Sequence, residues 1–309
     1  MPLRIAFVTY RARPQLSDDD RLAVAELRQH DIAVESAVWD SPLVDWSVYD
    51  ALVIRSVWDY HLRPREFETW LALVERLGVP LWNPASLVRW NMDKRYLLDL
   101  AERGVPTVAT LVLDQGMATS LEVVMGDTGW SDVVYKPAVS ASGFRTVRAR
   151  RNELSEHEAA FSSLLAERDV LVQPFMEQIV TDGEWSLIFF SGQYSHAVKK
   201  RISEGEVGVQ REHGGVTNAD SPRGLLVAQA EDVVSHVPGP WLYARVDVCE
   251  VEGSLVLMEL ELVEPSLFLG YHPSAPRRFA AALRQLLVGR RTPLSFTPRS
   301  STPPGGMVR

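Results

Sequence analysis

Residues 3 to 78 alternate between two hydrophobic periods, and few folds accept that alternation. "RIAFVTY" is an apolar run of strand composition. "SDDDRLAVAELRQH" follows it, with Ser17 at a cap position and three aspartates where a helix N-terminus favours negative charge. "IAVESAVW" and "YDALVIRS" read as further strands. "PREFETWLALVERLG" has Pro64 in its first turn, apolar residues at Phe67, Trp70, Leu71 and Val74, and a Gly78 stop, which predicts a helix with both ends marked. Strands that alternate with helices pair in parallel through crossover connections, so this part is expected to be a small doubly wound α/β unit.

The rest of the chain changes character. "DKRYLLDLAERG" predicts a helix closed by Gly104, "VPTVATLVL" a strand and "ATSLEVVMGDTG" a helix. "DVVYKPAVSASGFRTVRAR" reads as strand, small-residue loop, strand, and "LLAERDVLVQPFM" ends a helix and strand pair. The remainder to about residue 263 reads as mainly β, followed by a last helix in "PSAPRRFAAALRQLLVG". The tail "RRTPLSFTPRSSTPPGGMVR" has no periodicity and is expected to be disordered. With 309 residues and 46% hydrophobic content the chain can bury two domains. A net charge of -8 lacks the basic footprint of a nucleic-acid binder. No apolar run reaches 18 residues and no signal-peptide core precedes the first strand, so a cytoplasmic protein without a membrane partner is expected. Cys249 is the single cysteine, which leaves no intramolecular disulfide, and it is expected in the core. The tryptophans at 39, 46, 58, 70 and 82 are expected in packing roles.

One stretch carries chemistry. "YARVDVCEVEGSLVLMELELVEPS" reads as two strands joined by a turn at Glu252-Gly253. Side chains alternate along a strand, so Glu259 and Glu261 share a face roughly 7 Å apart, with no lysine or arginine between them. Folding at the turn brings Asp247 within about one residue of a position opposite Glu259, with Arg245 at the edge. A divalent cation would relieve the repulsion, and an all-carboxylate set favours Mg²⁺ or Mn²⁺ over zinc. An exposed acidic hairpin is the competing reading.

Other segments are less specific singly. Lys136 ends a strand before "PAVSASGF", whose small residues Ser140, Ser142 and Gly143 let a backbone approach an anion. An ordinary tight hairpin explains them as well. The strand "VLVQPFM" breaks at Gln173-Pro174 and resumes after Glu184, freeing backbone for the edge of a base, with a plain loop as the alternative. "AVKKRISEGEVGVQREHGGV" gathers cations including Arg211, which suit phosphate or equally a solvated face. Nothing matches a Walker A loop, a zinc-type histidine spacing or a serine nucleophile motif.

The order of these signals resembles the ATP-grasp superfamily, in the branch of glutathione synthetase, the ribosomal-protein glutamate ligase and D-alanine–D-alanine ligase. A lysine near a helix start, Lys94 in "NMDKRYLL", comes first. Lys136 and its loop, the break at 173 to 176, Glu184, an arginine loop and the acid trio follow. The resemblance implies a mixed α/β (α+β) ATP-grasp fold. Residues 1 to 82 would form a Rossmann-like preATP-grasp domain. Residues 83 to 289 would form the ATP-grasp domain, divided into 83 to 172 and 173 to 289, with 290 to 309 as the tail. It implies that Lys94 and Lys136 reach the phosphates while Ser140, Ser142 and Gly143 close over them. Gln173, Pro174, Phe175 and Met176 would hold adenine, and Glu184 the ribose. Asp247, Glu259 and Glu261 would hold two Mg²⁺ ions, and Arg211 and Arg245 would steady the transferring phosphoryl group. Where the branch usually has Glu-x-Asn, this chain has Glu259-Leu260-Glu261, and its lid loop is poorer in glycine.

"IRSVWDYHLRPREFETWL" and "MELELVEPSLFL" are similar to the subgroup containing the cyclo-ligase of D-cycloserine biosynthesis, which closes O-ureido-D-serine into a ring with ATP. That implies an ATP-dependent ligase forming a C–N bond on an amino-acid-like substrate, intramolecular or not, in antibiotic biosynthesis, and a homo-oligomer by family habit. Arg55, Ser56, Asp59 and Tyr60, at a strand end, are candidates for substrate contact, as are Glu264 and Ser266. Interdomain packing is the competing explanation for the strand-end group. A nucleotide-binding regulator or scaffold that no longer catalyses is the alternative for the whole chain, and retention of both lysines and all three acids argues against it.

Overall fold

The computed structural model describes residues 2–201 and 215–291, so Arg211 and the tail from residue 292 lie outside the described residues. Strands β1 (Leu3–Thr9), β2 (Ile32–Val38), β3 (Ala51–Ser56) and β4 (Leu81–Trp82) form a parallel sheet in the order β2-β1-β3-β4. The crossovers contain α1 (Asp18–Arg28), capped by the Ser17 hydroxyl on the Asp20 N–H, and α2 (Pro64–Leu77). Gly78 ends α2 with φ at 69°, a left-handed turn that glycine adopts without a Cβ clash. Ile5 and Phe7 pack on one face of the sheet, Ala6 and Val8 on the other, and all four are fully buried. That two-sided burial is what a parallel sheet requires.

Two short helices follow, α3 (Ala85–Met92) and α4 (Tyr96–Glu102), with Asp93, Lys94 and Arg95 between them. A second sheet contains β5 (Leu111–Leu113), β6 (Asp132–Pro137), β7 (Val147–Arg150) and β8 (Val170–Pro174), antiparallel in the order β5-β8-β6-β7. The strand expected from Val105 is thus confined to its last residues, after Pro106. Helices α5 (Leu121–Thr128) and α6 (Leu154–Glu167) cover this sheet, and Tyr135 meets Phe161 edge-on at 5.4 Å in its own small core.

After the single helical turn α7 (Gln178–Thr181) come β9 (Glu184–Phe190), β10 (Gln193–Arg201) and β11 (Val216–Ala219). Helix α8 (Gly224–Ser235), strands β12 (Tyr243–Val251) and β13 (Ser254–Glu261) and helix α9 (Ala275–Arg291) complete the described chain. The third sheet runs β11-β10-β9-β12-β13. α8 interrupts a region read from the sequence as mainly β: Leu226, Ala230, Val233 and Val234 are a helical stripe that buries against the sheet. Phe279 of α9 packs edge-on against both Phe7 at 6.1 Å and Phe190 at 5.5 Å, so the first and third sheets share one core.

Candidate active site

The turn between β12 and β13 is where the sequence places it, with Glu252 and Gly253 both at positive φ. Counting back from that two-residue turn, a regular ladder would put Asp247 opposite Met258. Glu259 and Glu261 would then point the other way, into the face of Leu255 and Leu257. A register shift between Asp247 and Val248 prevents this: Val248 pairs with Leu257, but Asp247 pairs with Glu259 and Arg245 with Glu261. Met258 is the extra residue of a β-bulge, and past it the buried positions change phase from Leu255 and Leu257 to Leu260 and Leu262. The bulge therefore turns both glutamates to the face that carries Asp247. Oxygen atoms of Asp247, Glu259 and Glu261 lie within 4.8 Å of one another.

Cations hold this face together. Arg245 donates from Nε and Nη2 to Asp247 (3.0 and 2.8 Å) and also bonds Glu261. Ser186 Oγ donates to Asp247 at 2.5 Å, and Lys200 Nζ reaches Asp247 at 3.3 Å while pairing with Glu184. Burial opposes charge on every one of these groups, but Arg245 and Lys200 hold the Asp247 carboxyl below the ordinary range. The two glutamates divide. Burial raises both, yet Lys94 and Lys136 bring Glu259 down, whereas Glu261, beside Glu259 and Asp247, stays raised despite Arg245.

A cavity of about 1130 Å³ opens above the sheet. Lys94, from the α3–α4 junction, enters it with Nζ 2.7 Å from Glu259 and donating to the Ser140 carbonyl at 2.8 Å. Lys136 comes from β6 on the opposite wall. Burial lowers its pKa, Lys94 adds to that, and Glu259 only partly offsets it; no hydrogen bond or ion pair engages its ammonium among the described residues. Ser140, Ser142 and Gly143 form a loop at the cavity edge, with Ser142 and Gly143 at positive φ. Gln173, Pro174, Phe175 and Met176 form an adjacent wall, and Arg148 lies over the Phe175 ring at 3.3 Å. The strand break there frees less backbone than the sequence suggests. The Phe175 N–H donates to the Asp132 carbonyl and the Met176 carbonyl accepts from Ile179. Glu184 lines the cavity already bonded to Lys200.

At the other end, the candidates near β3 separate. Tyr60, Glu264 and Ser266 line the cavity. Arg55 lines it too, but its guanidinium is taken by Asp20 at 2.7 Å and the Pro265 carbonyl at 3.1 Å. Ser56 is buried and outside the cavity wall; Asp59, half-buried, is outside it too and accepts from Trp39 Nε1 and Arg63 at 2.9 and 2.5 Å. Past the strand end, Trp58 and Tyr60 rather than Ser56 and Asp59 line the cavity.

Sequence reasoning missed the residues that hold β13, an edge strand, in place. Asn91 Nδ2 donates to the Leu260 carbonyl and its Oδ1 accepts from the Leu262 N–H, both at 2.7 Å. The Leu260 N–H donates to Tyr96 Oη at 2.9 Å. One amide thus substitutes for a neighbouring strand on either side of Glu261. Lys200 was visible only as part of a charge run; its place opposite Glu184, rather than on the face of Lys199, is a matter of register. Trp39, Trp46, Trp70 and Trp82 are buried as expected, as is Cys249, while Trp58 lines the cavity.

Residues 5–83 match the family model of the D-cycloserine synthetase DcsG N-terminal domain. The cycloserine biosynthesis protein DcsG of Streptomyces lavendulae is 34% identical over 270 residues, covering 83% of this chain and 89% of the relative. The crystal structure of D-cycloserine synthetase DcsG superposes with a TM-score of 0.82 at 31% identity, over 92% of this chain and 99% of that one. The D-alanine–D-alanine ligase of Bacillus anthracis in complex with ATP shares the fold at a TM-score of 0.65 and 14% identity, over 94% of this chain and 98% of that one.

Proposed function

Given that this chain belongs to the D-cycloserine synthetase DcsG family and is an ATP-dependent ligase of the ATP-grasp fold, we propose that it activates the carboxylate of an amino-acid-like substrate as an acyl phosphate. A nitrogen of the substrate then closes on that carbon, in its finest form the intramolecular ring closure of a cycloserine-type product. The observation that carries this reading is Lys136: a half-buried ammonium without a partner among the described residues, lining a nucleotide-sized cavity that Glu259 also lines, is completed by an anion. A phosphate supplies that anion.

The reaction needs no nucleophile from the protein. A substrate carboxylate oxygen attacks the γ-phosphorus, the bond to the β-phosphate oxygen breaks, and ADP leaves. The substrate nitrogen attacks the acyl carbon, phosphate leaves with the bonding pair, and the nitrogen loses a proton. Lys94 and Lys136 neutralise the phosphates, and Arg245, with Arg211 from outside the described residues, steadies the moving phosphoryl group. Ser140, Ser142 and Gly143 close over the triphosphate, the wall from Gln173 to Met176 takes adenine, and Glu184 takes the ribose. Asp247, Glu259 and Glu261 suit a hard cation: three carboxylates within 4.8 Å are otherwise held by Arg245, Lys94 and Lys200. Two Mg²⁺ ions, or Mn²⁺, held by these three carboxylates would neutralise the charge that develops on the transferring phosphoryl group. Residues 1–82, 83–172 and 173–289 act as the three units of this machine, in a cytoplasmic homo-oligomer.

ADP formation with Mg²⁺ and a panel of amino and ureido acids, headed by O-ureido-D-serine, tests the proposal. Stimulation by at least one member is expected. ATP binding without stimulation by any would leave a nucleotide-binding regulator in its place.

A further inference from the structure

Glu264 stands apart from the acid trio. Its carboxylate is half-buried in the cavity wall three residues beyond Glu261, and among the described residues nothing hydrogen-bonds or ion-pairs with it. Its backbone, by contrast, is fixed: the Glu264 carbonyl accepts from Trp58 Nε1 at 3.2 Å, and the next carbonyl, of Pro265, accepts from Arg55 at 3.1 Å. Among the described residues the two cations that act on it are engaged, Lys94 by Glu259 and Arg245 by Asp247 and Glu261, and Arg55 beside the Pro265 carbonyl is held by Asp20. A carboxylate on a fixed stretch of backbone, facing a cavity, with Lys94 and Arg245 committed to other acids, is completed by a cation that arrives with the ligand. Burial, with Glu261 and Glu259 nearby, pushes its pKa well above the ordinary carboxylate range, and Lys94 only partly opposes that. The same surroundings that penalise the bare anion favour it once a positive charge lies against it.

The position says which cation. Glu264 is tied to the segment that leaves β3, at the carboxyl end of the parallel strands, where open α/β sheets bind small ligands. Trp58 and Tyr60 line the same end of the cavity, and the Trp58 ring already has the Arg13 guanidinium over it at 5.4 Å, so this end accommodates positive charge. Resting on the ligase reading above, we propose that Glu264 binds the α-ammonium of the substrate, so that the cavity selects α-amino acids over carboxylic acids without a charged nitrogen. The carboxylate of the same molecule would then lie toward Arg245 and the phosphate end, the separation that an amino acid's two charged groups provide.

Calorimetric binding in the presence of ADP and Mg²⁺ tests this independently of turnover. The probes are O-ureido-D-serine and the same acid with hydrogen in place of the α-amino group. Wild type is expected to bind the amino form about 10- to 100-fold more tightly, and Glu264→Gln to lose that preference with ADP affinity intact. Glu264→Asp, which keeps the charge, should retain part of it, and the wild-type ratio stands as a readout even if Glu264→Gln does not fold. The proposal falls if wild type binds both probes equally or neither. It falls equally if Glu264→Gln keeps the ratio, or changes only the Mg²⁺ requirement, which would make Glu264 a metal ligand. Failure of the ligase reading would look different: the amino-acid preference would be present and Glu264-dependent, with no ADP formed.

Discussion

Single residues here show a conflict between stability and use. Lys136 is the clearest case: its half-buried ammonium has no hydrogen bond or ion pair among the described residues, which costs the ligand-free fold free energy and prepares the site for phosphate. Lys136→Met should leave the melting temperature of the ligand-free protein unchanged or higher and abolish the further rise produced by ATP, which differential scanning fluorimetry measures. His196 gives a pH signature. Burial depresses its pKa to about 4, and its Nε2 contacts the Leu267 and Phe268 carbonyls at 3.0 and 3.1 Å, holding β10 to the turn that follows β13. A histidine whose folded pKa lies below its unfolded value of about 6.5 contributes stability above that value and loses it as pH falls toward 4. The loss of stability between those limits should be shallower in His196→Gln by up to one proton, as read from denaturation midpoints across the range. The Glu261 carboxyl stays raised where the usual pattern has asparagine. Glu261→Asn should still form ADP but need roughly tenfold more Mg²⁺ for half-maximal rate, since one ligand charge is gone; an unchanged Mg²⁺ titration would remove Glu261 from the site.

The decisive element is the β12–β13 hairpin. Its turn, its two strands and the nearness of Asp247 to Glu259 are legible from composition and alternation, because each is local. The bulge at Met258 is less so, although one sign is present: the apolar positions Leu255, Leu257, Leu260 and Leu262 skip a beat between 257 and 260. What cannot be read locally is the support along the outer edge, where Asn91 and Tyr96, more than 160 residues away, hold Leu260 and Leu262. Asn91→Leu would strand one carbonyl and one N–H beside Glu261 and should cost about 2–4 kcal/mol of stability. If the amide also sets the ligand geometry, the Mg²⁺ requirement for ADP formation should rise as well, measured under conditions where the variant is fully folded.

At the scale of the molecule, two kinds of coupling coexist. The first and third sheets share a core through Phe279, whereas the second sheet closes its own around Tyr135 and Phe161. Phe279→Ala should therefore cost about 3–5 kcal/mol and destabilise the first and third sheets together. Hydrogen exchange should show β1 and β12 deprotected to the same extent in that variant, with β6 far less affected. The cavity lies between these bodies, with Lys136 and the loop from Ser140 to Gly143 on the second sheet and the acids on the third. The site is thus assembled across the junction between the two, where Lys94 bonds the Ala138 and Ser140 carbonyls.

Local sequence determined the elements that local physics controls: capped helices, the parallel N-terminal strands, the hairpin turn and the order of charged motifs along the chain. It also identified most of the charged side chains that line the cavity, because lysines and glutamates at strand ends declare their type wherever they lie. Tertiary structure alone decided which of them face one another. A one-residue slip in register reverses a strand's faces, and only packing on both sides of β13, with the Asn91 amide at its edge, selects the register that turns Glu259 and Glu261 toward Asp247 instead of into the core.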